Sequence, residues 1–375
     1  MLADPGTRSR YRPAFAVSPL PFLLYRMLSD MDTTIALILL QDGILNGAIY
    51  ALLGLALVLV FLVTRVIFIP QGEFVTFGAL TLAFVVNGRM PGTVILLLIA
   101  GALVFLLELL SALRSRSLVG MPRKFLVNIV IPVAVYFAAP AIVSSELPLW
   151  VAVLFSLAVV IPLGPMVYRL VYQPIAEASV LVLLITSVAV HFALTGLGLV
   201  FFGPEGWRTP PFMEGEVSLG AVSWSAQTFF VMGACVLLIL ALWGFFGKTL
   251  YGRALRATAV NRRGARLVGI STNMSGSLTF TLAAAIGALS GMLIAPVTTI
   301  YYDTGFLIGL KGFVAAIFGG LISYPVTLLG ALFLGVLEAF SSFWASAYKE
   351  VIVFTMVIPV LLWRSFGSKH VDDEE

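Results

Sequence analysis

Cysteine and histidine are almost absent: one cysteine, Cys235, and two histidines, His191 and His370, occur in 375 residues. Neither a disulfide framework nor a Cys/His zinc site can be assembled from them. Charge is scarce too, at 11% of residues, against about 25% in soluble domains. A water-soluble enzyme of this length needs a mostly polar exterior, which 22 basic and 18 acidic side chains cannot provide. The phosphate-binding pattern GxxxxGK(S/T) is missing, and so are HExxH, GxSxG and CxxC. The chain therefore lacks the means to bind ATP in a P-loop, and nothing points to nucleophilic or metal catalysis. Any uphill movement it supports must draw free energy from another subunit or from an ion gradient.

Apolar residues are abundant, at 60% of the chain, with a mean hydropathy of +1.07. This is the composition of a polytopic membrane protein. The net charge of +4 fits cytoplasmic loops that obey the positive-inside rule and requires no nucleic acid. Long apolar runs fall at about 44–64, 93–113, 125–143, 149–168, 179–202, 227–246, 275–298, 326–346 and 350–364. Shorter, glycine-interrupted runs lie at about 72–87 and 305–322. A helix needs about 20 apolar residues to cross, and backbone in lipid must bond within itself. The expectation is an all-α bundle of about 9–11 transmembrane helices with short broken or re-entrant segments.

Arg114, Arg116, Arg123 and Lys124 share one loop, and Lys248, Arg253, Arg256, Arg262, Arg263 and Arg266 another. Both belong in the cytoplasm. Loop 203–226 carries Glu205, Glu214 and Glu216 against one arginine and faces outward, with Trp207 and Trp224 suited to an interfacial belt. Eleven crossings place the N-terminus outside, yet Arg8, Arg10, Arg12 and Arg26 prefer the inside. A re-entrant 72–87 would settle that conflict. Residues 1–36 read as an extension without a signal-peptide pattern, the first helix starting near Ile35. Residues 366–375 are a tail that ends acidic.

Residues 249–272, TLYGRALRATAVNRRGARLVGIST, form a basic amphipathic stretch between two spans. Leu255, Ala259, Ala265, Leu267 and Val268 can make an apolar side. Composition alone leaves two readings: a loop whose charges fix topology, or a short helix docking into a groove of a cytoplasmic partner.

The pattern GRALRATAVNRRGARLVGIS resembles the cytoplasmic coupling segment of binding-protein-dependent ABC importer permeases, and is most similar to the branched-chain amino acid permease family. The resemblance continues in LNGAIYALLGLALVLVFLVTRVIF (45–68), QGEF (71–74) with Gly78, and YQPIAEASVLVLLITSVAVHFALTGLGLVFFGPE (172–205). It resumes in GFLIGLKGFVAAIFGGLISYPVTLLGALFLGVLEAF (305–340) and AYKEVIVFTMVIPVLLW (347–363). It implies a permease transmembrane domain at 37–365 in the bacterial inner membrane, forming the path for a branched-chain or other small amino acid. The implied partners are two cytoplasmic ABC ATPase subunits that bind the ATP and Mg, a second related permease, an external substrate-binding protein and membrane lipid. No cofactor is expected in this chain. Arg253, Arg256, Ala257, Asn261, Ala265 and Gly269 would couple to the ATPases. Two departures stand out. Where the family has Asn-Phe-Ala-His-Gly-Glu, this chain reads Phe68-Ile69-Pro70-Gln71-Gly72-Glu73. Residues 93–147 also read as an inserted helix pair around SALRSRSLVGMPRK. A urea or short-amide permease stays open, as does an ion-driven carrier using Glu73 or Glu338.

Intramembrane charge marks functional candidates. Glu73 reads either as a cap at a helix start near the interface or as a pathway or hydrogen-bonding group. Lys311 reads as snorkelling or as a path residue, with Glu338 a possible partner. His191 is expected to bond a neighbouring carbonyl. Asn46 and Tyr50, one turn apart, share a face. Gly43/Gly47 and Gly287/Gly291 have GxxxG spacing and predict tight helix contacts. The paired broken segments point to a central site, so the candidate path comprises Asn46, Tyr50, Gln71, Gly72, Glu73, Lys311 and Gly312.

Overall fold

The computed structural model describes residues 33–116, 120–145, 148–219 and 222–367. The N-terminal arginines, most of the 1–36 extension and the end of the tail lie outside the described residues. Among the described residues, nine helices are long and apolar enough to cross a membrane. They are α1 (Thr33–Thr64), α3 (Thr93–Ser115), α4 (Met121–Val143), α5 (Leu149–Tyr172), α6 (Val180–Phe202), α7 (Ala226–Lys248), α10 (Thr272–Ile294), α12 (Tyr324–Trp344) and α13 (Ser346–Trp363). Two shorter apolar helices, α2 (Gln71–Val86) and α11 (Thr304–Phe318), occupy the broken segments. Two more, α8 (Leu250–Val260) and α9 (Arg262–Leu267), form the basic stretch. The expected outer loop carries a small hairpin, β1 (Glu216–Leu219) with β2 (Val222–Ser225).

Contacts between loops and helix ends fix the course of the chain. Gln41 near the start of α1 donates to Thr228 just beyond the outer hairpin, whereas Leu59 and Val63 near its end pack on Leu255 of α8. Thus α1 runs from the outer to the inner side. Residues 65–70 then turn back, and α2 runs outward until Phe84 meets Trp207 of the outer loop. Segment 71–86 therefore completes a crossing and is not re-entrant. The converse path is taken by α11: Ile300 pairs with Trp207 outside, and Tyr324, just past the end of α11, meets Phe246 at the inner end of α7. Eleven crossings result among the described residues, with both basic loops inside and the start of α1 outside.

The core lies where α1, α2, α10, α11 and α12 meet, and glycine sets its spacing. A Cβ on Gly43 would stand 2.6 Å from Val336 Cα, and one on Gly47 2.8 Å from Leu332 Cα. Gly291 presses on the Val75 carbonyl in the same way. The expected GxxxG contacts thus form between α1 and α12 and between α10 and α2. Helices α3 and α4 pack on one another and on α5 at the periphery, and much of their surface is exposed. Membrane lipid is the natural cover for such surface.

Candidate functional site

Pro70 opens α2 with its fixed φ, and Gly72 and Glu73 follow in the first turn. At Gly72 the start of α2 meets the start of α11 through glycine on both sides. A Cβ on Gly72 would lie 2.1 Å from the Gly305 carbonyl oxygen, and one on Gly305 2.0 Å from the Gly72 oxygen. Gly309 lies against the Gly72 backbone as well. The Gly305 amide donates to Thr76 Oγ1 at 2.8 Å, tying one helix start to the other. Phe306 stacks on His191, halfway along α6, so the crossing sits at mid-depth. Gln71 is fully enclosed and its Nε2 donates to the Ala283 carbonyl on α10.

Glu73 is buried, so the interfacial cap does not describe it. Its carboxylate lies 2.6 Å from His191 Nδ1 and accepts from Thr195 Oγ1 at 3.3 Å. The expected carbonyl partner of His191 is thereby corrected to a carboxylate, from a helix 118 positions away in sequence. A buried acid at a helix start is favoured by the dipole, and an opposite partner offsets part of its desolvation.

A second polar cluster hangs from the other half-helix. Lys311 is buried and does not snorkel: Nζ donates to Glu338 Oε1 at 2.6 Å and to Glu350 Oε1 at 3.0 Å. Tyr50 Oη donates to Glu338 Oε2 at 2.6 Å. The anticipated Lys311–Glu338 pair therefore forms, and Glu350 is an unanticipated member. Gly312 abuts Leu53 and Gly54 on α1. Asn46, half-buried on α1, joins neither cluster, so six of the seven candidates divide between two places and Asn46 stands apart.

The basic stretch is two helices because Thr249 caps α8 and Asn261 caps α9, while Ser271 caps α10 after them. Thr249 accepts from Gly252 N at 2.9 Å, Asn261 from Gly264 N at 2.8 Å, and Ser271 from Met274 N at 3.3 Å. Such caps are worth about 1 kcal/mol each. Gly269, at φ 86°, lets the Ile270 amide reach back to the Ala265 carbonyl and end α9. Arg262 donates to the Ala176 carbonyl, and Arg266 to Glu177 and Thr272, which moors the stretch to the α5–α6 turn. Leu255 and Ala265 face inward; Val260, Leu267 and Val268 stand 89%, 88% and 75% exposed. The expected single apolar side is thus split into an inner anchor and an outer tip. Arg253, Ala257, Asn261 and Gly269 are exposed, but Ala265 is buried and cannot touch a partner. Arg256 is exposed like them and also lines a cavity between membrane helices.

Residues 39–361 match the family model described as branched-chain amino acid transport system / permease component. The high-affinity branched-chain amino acid transport system permease protein BraD of Pseudomonas aeruginosa is 30% identical over 60% of this chain and 76% of its own length. LivH of Escherichia coli K12, another such permease protein, is 32% identical over 54% of this chain and 68% of its own. A probable LivH permease of Methanocaldococcus jannaschii is 28% identical over 62% and 81%. With a family match that runs through nearly all of the eleven crossings among its described residues, the chain belongs to the branched-chain amino acid transport permease family.

Proposed function

We propose that this chain is the permease subunit of an ATP-driven importer in the bacterial inner membrane and carries a branched-chain amino acid. The observation that supports this best is the shape of residues 249–272: two capped helices, moored by Arg262 and Arg266, present an apolar tip of Val260, Leu267 and Val268 amid arginines. That tip suits a groove on a cytoplasmic partner. Two ATPase subunits would bind the ATP and Mg and push on it, with Arg253, Ala257, Asn261 and Gly269 around the contact. A second related permease completes the path, and an external binding protein delivers cargo to the acidic outer loop. This chain needs no cofactor of its own. Gln71, Gly72 and Glu73, with Tyr50, Lys311 and Gly312, hold the two half-helices whose relative movement opens the way; Asn46 lies beside them on α1. The carboxylates that an ion-driven carrier would use, Glu73 and Glu338, are already engaged by His191 and Lys311.

The test is ATP hydrolysis by the complex purified through this chain, in lipid, with its binding protein and leucine, urea or no ligand. Stimulation by leucine is expected, and Val260→Asp should abolish it. Stimulation by urea would keep the mechanism and change the cargo. If no ATPase subunit accompanies the chain, the coupling argument fails.

A further inference from the structure

At the inner side of the bundle an apolar cavity of about 440 Å³ opens between α1, α7, α10 and α12. Leu59, Leu242, Trp243, Phe246 and Tyr324 form much of its wall, and Arg256 of α8 provides its one charged lining residue. Arg256 makes neither an ion pair nor a hydrogen bond with any described residue. One turn before Arg256 on α8, Arg253 donates to the Lys248 carbonyl at 3.4 Å. No aspartate or glutamate occurs in the stretches that form the wall, 55–63, 239–263, 282–290 and 321–329.

An apolar slot with an unpartnered guanidinium at its cytoplasmic mouth specifies an amphiphile, anionic at one end and hydrocarbon at the other. A zwitterionic amino acid fits poorly, because no carboxylate is present to receive its ammonium, and stripping that group of water uncompensated is costly. We propose that the cavity seats one anionic phospholipid of the inner leaflet, an acyl chain lying against Leu59, Leu242 and Phe246 and the phosphate on Arg256. Three facts point the same way. The cavity is at the depth of the inner leaflet, since α8 packs on the last turns of α1 and α7. Its one charged lining residue is a cation, and basic pockets between helices on this side attract anionic head groups. Trp243 stands 72% exposed at the rim, as aromatic side chains do at the head-group level. The lipid would thus hold α8, the first helix of the coupling stretch, against the membrane.

The experiment is native mass spectrometry of the full chain, purified from membranes in mild detergent with its accompanying subunits and titrated with phosphatidylglycerol. One lipid should bind more tightly than the rest and more tightly than phosphatidylcholine. Arg256→Gln should weaken it by at least about tenfold, the loss expected for one charge-assisted hydrogen bond. Arg263→Gln, on exposed α9, should leave it unchanged. Leu328→Trp, which fills the cavity with Arg256 intact, should also expel the lipid. Arg256 has no partner to lose, so Arg256→Gln tests the site without threatening the fold. Equal lipid binding by Arg256→Gln and the unaltered protein would overturn the proposal. Capture of a second protein chain by Trp243→Cys cross-linking, with no lipid retained, would also overturn it by showing a subunit contact.

Discussion

Substituting Gly72 by alanine tests the crossing of the two half-helices directly. The added methyl would lie 2.1 Å from the Gly305 carbonyl oxygen and 2.6 Å from its carbon. Both are backbone atoms, so no side chain can rotate away. For the contact to reach even 3.0 Å the helix starts must part by about 0.9 Å, in a place where Gly309 also touches Gly72. Overpacking of this kind costs about 1–3 kcal/mol, and a backbone-to-backbone clash belongs at the upper end. Alanine returns roughly 0.5–1 kcal/mol through its better helix propensity, leaving a net loss of about 2 kcal/mol. The assay is thermal unfolding of the detergent-solubilised protein, where that loss is a drop of several degrees. Gly244→Ala, whose methyl meets nothing within 4 Å, is the control and should hold or raise the midpoint. Gly305→Ala should repeat the effect. The double variant should fall short of the sum, because one opening of the crossing serves both methyls. If Gly72→Ala proves as stable as Gly244→Ala, the close approach of α2 and α11 is wrong.

Lys311→Met strands Glu338 and Glu350 without their cation and should lower stability by about 3–5 kcal/mol, while Lys311→Met combined with Glu338→Leu should recover part of the fall in the same unfolding assay. His191→Leu removes the partner of Glu73 and should destabilise by about 1–3 kcal/mol; His191→Leu with Glu73→Leu, read the same way, should be milder than the sum. Asn261→Ala deletes the cap of α9, worth about 1 kcal/mol. It should reduce cargo-stimulated ATP hydrolysis by the complex while leaving the global unfolding midpoint nearly unchanged.

Length and hydropathy made the spans legible, because a bilayer demands one local pattern per crossing. Side assignment followed from the basic loops and the acidic loop 203–226, with the N-terminal arginines pulling against the parity. The broken segments were visible through Pro70, Gly72 and Gly305, although their status as full crossings was not: only the contacts of Phe84 and Ile300 with Trp207 settle it. Polar partners were the least legible part. Glu73 and His191 meet across 118 positions, and nothing in either local sequence selects the other. Glu350, at the start of the last apolar run, drew no notice in the sequence, yet it is the second carboxylate on Lys311. The single apolar side drawn for residues 249–272 failed for a different reason. It assumed one continuous helix, whereas the caps at Asn261 and Gly269 break the periodicity and rotate Leu267 and Val268 away from the bundle.

The two half-helices share one design with opposite sign. In α2 the buried charge is acidic and lies in the first turn, where the helix dipole favours an anion; in α11 it is the cation Lys311, at the middle of the helix. Each charge is answered by an element other than its crossing partner. Glu73 binds α6 through His191, and Lys311 binds α12 and α13 through Glu338 and Glu350. Glycine, meanwhile, leaves the two helix starts in backbone contact, held there by the bond from the Gly305 amide to Thr76 Oγ1. The ionic contacts are what fix each half-helix to the peripheral spans. If either half-helix shifts relative to the other, its ion pair must move with α6 or with α12 and α13, since breaking it would leave a charge alone in a low-dielectric interior. Movement at the centre is thereby carried outward as motion of whole helices, which is the kind of rearrangement that alternating access requires.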